Sequence, residues 1–85
     1  MKVGQMWGLK ESLRNLEIFN RQYYDIILSY EKLITLGTMN AGDVFLVLRE
    51  GVSRGGIASY LVLHGETIGW IDVIGKDRLD FTRVK

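Results

Sequence analysis

The sequence predicts an α+β fold: a long N-terminal helix packed on a four-stranded antiparallel meander or small barrel. Three observations carry this expectation. Residues 9–31 contain neither Gly nor Pro and repeat apolar residues at steps of four and three. From Asp43 the period changes to two, in short apolar runs separated by glycine-bearing turns. With 85 residues, 47% apolar and 25% charged, the chain fits one folded domain, 1–85, rather than a disordered one.

Residues 1–8, MKVGQMWG, read as a short irregular arm whose Trp7 is anchored on the body of the fold. The helix spans 9–36. Leu13, Asn20, Ile27 and Ile34 share one heptad position, and Leu9, Leu16, Tyr23 and Tyr30 share the other. A lone Asn among Leu and Ile is a known device for fixing register and partner number in two-stranded coils. Leu13, Leu16, Asn20, Tyr23 and Ile27 are therefore the candidate self-association residues. Phe19, Ile26 and Leu33 widen the stripe, which favours packing on a sheet over a pure coiled coil.

Residues 32–42 read two ways. Gly37 caps a helix ending at Leu36, or LITLGTM is a short strand. AGD at 41–43 is a turn in both cases. VFLVLR at 44–49 is apolar on both faces, so both faces need cover. GVSRGG follows as a loop. IASYLVLH at 57–64 alternates Leu61 and Leu63 against Tyr60, Val62 and His64. Gly65-Glu66 makes a tight hairpin into TIGWIDVI at 67–74, where Ile68, Trp70 and Asp72 oppose Ile71 and Val73. After the turn Gly75-Lys76-Asp77, RLDFTRV at 78–84 is the fourth strand. One face of these strands fills the interior, and the helix is the expected lid on the other.

The run LITLGTMNAGDVFLVL followed by YLVLHGETIGWIDV resembles the bacterial SH3-like domain. Gly42, Asp43, Val47, Leu48, Tyr60, Val62, Gly65, Gly69, Trp70 and Ile71 carry the likeness, over residues 33–73. The helix stands where that family has its first strand, GVSRGG is longer than its usual loop, and the last strand runs past its usual end. The resemblance implies an SH3-like interaction barrel that binds peptides or polymers through aromatic grooves.

Composition narrows the chemistry. Eleven basic and ten acidic residues leave a net charge of +1, without the basic excess of a strong nucleic-acid binder. There is no Cys and one His, so no thiolate or multi-His metal site forms within one chain, and no cofactor is expected. Ser59, His64 and Asp72 supply the residue types of a triad but no nucleophile elbow, so no enzyme is expected. No apolar run is long enough for a membrane helix, and the N-terminus lacks the apolar stretch of a signal peptide. The expected site is cytoplasmic.

The function expected is a non-catalytic protein-interaction module, self-associating through helix and sheet, with a protein partner and a homodimer in view. The alternative is a small nucleic-acid-binding barrel that uses GVSRGG and the basic C-terminal strand. Candidate contacts for either partner are Arg49, Arg54, Tyr60, Trp70, Arg78 and Arg83, with the two aromatics as stacking residues.

Overall fold

The computed structural model describes residues 1–10, 16–22, 33–51, 57–74 and 81–85. The described chain is all β, in strands β1 (Met6–Leu9), β2 (Leu16–Phe19), β3 (Thr35–Met39), β4 (Val44–Glu50), β5 (Ile57–His64), β6 (Thr67–Ile74) and β7 (Phe81–Arg83). They form one open antiparallel sheet in the order β3-β2-β6-β5-β4-β1-β7. No helix occurs among the described residues.

The α+β expectation is thereby overturned. Leu9 closes β1, Leu16–Phe19 is β2 and Thr35–Met39 is β3, so no single helix runs over 9–36. The reason is visible at Ile18. A heptad reading puts Leu16 and Asn20 on the seam and leaves Ile18 off it. Ile18 is nonetheless fully buried, at 0% exposure, with Glu17 exposed beside it. That is the period of a strand, and pairing with β3 and β6 from farther along the chain overrides the local spacing. Asn20 is in a bend after β2, where its N–H donates to Ile34 O (3.0 Å) and its Oδ1 accepts from Ile34 N–H (2.7 Å). Leu13, Tyr23 and Ile27 lie outside the described residues.

The four-strand meander or small SH3-like barrel is also corrected, to one open seven-stranded sheet. β4, β5 and β6 form a three-strand meander, and β2 and β3 are the other pair of sequential neighbours. The last strand crosses to the far end of the sheet and pairs with β1, with Trp7 opposite Arg83 and Leu9 opposite Phe81. The supposed N-terminal arm is thus an interior strand between β4 and β7.

The turns behave as their residues dictate. Gly42 has φ +89° and Asp43 N–H donates to Asn40 O (3.0 Å), a type II turn that requires a left-handed third residue. Asp43 Oδ2 accepts from Asn40 N–H (2.8 Å) and braces it. In the β5–β6 hairpin Gly65 has φ +58° and Glu66 does not have positive φ, which matches a type II′ turn.

Register assigns the faces, because directly opposed residues share a side. Val62 opposes Gly69 and Val47, Tyr60 opposes Ile71, and Phe45 opposes Trp7 on the inner face. Leu61 opposes Trp70 and Leu63 opposes Ile68 and Leu46 on the outer one. The inner face holds a single core of Leu9, Ile18, Met39, Phe45, Val47, Val62, Ile71, Val73 and Phe81. Met39 and Phe81 belong to opposite edge strands, so the sheet curls to bring both ends to one core. Bulges at Leu48 and Leu36 add to that curl. On the outer face Leu46, Leu61, Leu63 and Trp70 are half-buried, whereas Ile68 is 53% exposed.

Candidate binding pocket

At the β7 end the inner face does not close. Trp7, Tyr60, Val73 and Phe81, with Met1, line a pocket of about 180 Å³. Four strands contribute to it. β1 is paired on both sides, which fixes Trp7 between Phe45 and Arg83. Gln5 then fixes the indole: its Oε1 accepts from Trp7 Nε1–H (3.1 Å) and from Lys2 N–H (3.0 Å). The one polar atom of Trp7 is therefore satisfied inside the protein. Phe81 is held by Phe45, whose ring stands edge-on at 90° with centroids 5.8 Å apart. Val73, 2% exposed, is the floor. Tyr60 comes from β5, opposite Ile71 and, across β4, Glu50.

Size and lining decide what the pocket can take. Drug-sized or cofactor sites run to roughly 300–1,000 Å³, whereas a dry cavity of about 150 Å³ holds a benzene ring. The space fits one apolar or aromatic group. No charged side chain is among the described residues that line it; Arg83, opposite Trp7, and Glu50, opposite Tyr60, share its face and are both exposed.

The candidate contacts divide between the two faces. Tyr60 lines the pocket on the inner face, and Arg83 shares that face opposite Trp7. Trp70 and Arg49 share the outer face, both registered with Leu61. The two aromatics and the two described arginines are thus not gathered into one stripe. Arg54 and Arg78 lie outside the described residues, as does GVSRGG beyond Gly51. Leu16 packs against the core.

A polar cluster sits on the outer face. Ser59, 4% exposed, donates from Oγ to Gln22 Oε1 (3.0 Å) and opposes Asp72 across the β5–β6 ladder. Asp72 Oδ1 is buried without a hydrogen-bond partner, and burial pushes its carboxyl above the ordinary carboxylate range. His64 faces the other way, with Nε2 3.3 Å from Asp43 Oδ2. Ser59, His64 and Asp72 are therefore not brought together. Among the described residues no cluster of three or more His, Asp or Glu is placed to hold a metal, and no helix is long and apolar enough to cross a membrane.

Sequence reasoning placed Tyr60 among the candidate contacts, read Trp7 first as a core-edge anchor with ligand contact as the lesser reading, and saw in Phe81 only a residue of the fourth strand. The missing signal was β1, whose four residues are too short to show a period. No family model, curated protein or solved structure matches the chain.

Proposed function

We propose that this chain is a small, non-catalytic protein-interaction module that grips a partner by one apolar or aromatic side chain. The observation that carries the reading is the convergence of Trp7, Tyr60 and Phe81, from three strands, on a pocket the size of one ring. Interfaces draw most of their affinity from a few such aromatic anchors. The walls are pinned before any ligand arrives, Trp7 by Gln5 and Phe81 by Phe45, so little ordering cost remains at binding. Self-association through a helical seam is not carried forward, since Leu16 is a strand residue and Asn20 follows it in a bend.

The test is a peptide-display selection against the protein, read by Trp fluorescence in a Trp70→Phe background so that Trp7 reports alone. Enriched peptides are expected to share a single large apolar or aromatic residue. Tyr60→Ala should weaken them by about 30-fold, the scale of an interface anchor. A selection that yields no enrichment, or peptides indifferent to Tyr60→Ala, would overturn the reading.

A further inference from the structure

We infer that the partner segment adds to the free edge of β7 as an eighth, antiparallel strand, and that it carries an acidic residue two positions before its aromatic anchor. This rests on the pocket reading above and specifies the ligand's conformation and sequence.

The argument starts from hydrogen-bond alternation. β7 ends the sheet, and among the described residues it pairs only with β1. Val84 N–H donates to Met6 O (2.7 Å), so Val84, and by alternation Thr82, direct their main-chain groups to β1. Phe81 and Arg83 then direct theirs to the open edge. These are also the two β7 residues whose side chains share the inner face with Trp7 and Leu9. An added strand would therefore meet an N–H and C=O at Phe81, beside the pocket, and again at Arg83, that no described strand pairs.

Register sets the partner's sequence. The residue opposite Phe81 places its side chain on the inner face at the pocket mouth. In an antiparallel strand, the residue opposite Arg83 is two earlier and on the same face. Residues 81–85 read FTRVK, with two cations and no anion, and Arg83 is exposed. A carboxylate suits that place. The other edge lacks this combination: β3 is bulged at Leu36 and contributes nothing to the pocket. β7 is only three residues long, so the edge sets direction and register while the pocket supplies most of the affinity.

The test uses the intact protein and the peptide Thr-Thr-Glu-Thr-Phe-Thr-Thr with blocked ends. N-methylation of the Glu or the Phe nitrogen removes a donor facing β7. N-methylation of the Thr between them alters a nitrogen that faces away. The first two changes should each weaken binding by about tenfold, the size of one lost hydrogen bond, and the third should not. Arg83→Glu should reverse the preference to a peptide with Lys in place of Glu, and being exposed it leaves the core intact. Equal binding by all three methylated peptides, together with loss on Tyr60→Ala, would overturn strand addition while leaving the pocket reading in place. No binding by any peptide, with Tyr60→Ala also silent, would remove both. A dimer in sedimentation that excess peptide does not displace would give the edge to a second copy, and also overturns the inference.

Discussion

The two flanks of the sheet are attached to its centre by different means. β1 joins β4 through a continuous ladder from Met6 to Gly8, extended by Gly4 N–H to Val47 O (2.8 Å), Val47 N–H to Gln5 O (2.9 Å) and Leu9 N–H to Asp43 O (2.9 Å). β2 meets β6 at the single pair Phe19–Trp70. Among the described residues that pair is reinforced by side-chain interlock. Ile18 lies so close over Gly69 that a Cβ there would come within 2.5 Å of Ile18 Cγ2 and 2.7 Å of Phe19 O. A ladder tolerates many sequences, whereas an interlock of this kind depends on a bulky residue facing a glycine. The β2–β3 flank should therefore be the more sensitive to single substitutions.

The strongest way to break the contrast is Ile18→Ala. It empties a fully buried site and should cost about 2–5 kcal/mol. Hydrogen exchange should show protection lost across β2 and β3 before β1 and β7. Equal loss in both flanks would end the distinction. Next is Gly69→Ala, which overpacks the same contact from the other side at about 1–3 kcal/mol. Denaturant midpoints should place it below Ile18→Ala in severity, and the double variant should be non-additive because the two atoms touch.

Gly42→Ala probes the ladder flank. Nothing lies within 4 Å of the added Cβ, so only the positive φ is penalised, at about 1–2 kcal/mol. Since Gly42 N–H donates to Leu9 O (2.7 Å) and Leu9 N–H to Asp43 O (2.9 Å), exchange should rise at the amides of residue 42 and Leu9 and leave β2 unchanged.

The smallest effect is at Asp72, between the flanks on the outer face. Its carboxyl is raised by burial, so the folded chain holds that proton more tightly than the unfolded chain does. The stabilisation is therefore full below the ordinary carboxylate range and lost as pH rises through the raised value. Asp72→Asn should raise the thermal midpoint slightly at pH 7 and remove that part of the decline with pH. A wild-type stability that increases over the same interval, with Asn unchanged from Asp, would contradict the assignment.

This asymmetry also explains what could be read beforehand. The strands at 57–64 and 67–74 and their facing were legible because alternation and the Gly65 turn act locally. β2 was not, because Ile18 owes its burial to β3 and Gly69, both distant in sequence, while Leu9, Leu16 and Tyr23 imitate a helical repeat. β3 was legible only as one of two readings, the short strand LITLGTM against a helix end at Leu36, and the strand is realised over Thr35–Met39. For the pocket, Tyr60 was legible as an aromatic on an alternating strand. Trp7 and Phe81 become its companions only through the β1–β7 pairing, which no local pattern announces.

That pairing has a consequence for how the molecule comes into being. Met6 N–H reaches Lys85 O at 2.6 Å, so one ladder is built from opposite ends of the sequence. Contacts of such separation form late and slow a fold. During synthesis the β4–β5–β6 meander can assemble while Trp7 still waits for residues 81–83 to emerge. The pocket is thus complete only once β7 has paired, and a chain cut short before Phe81 would keep its central hairpins while lacking one wall of the pocket.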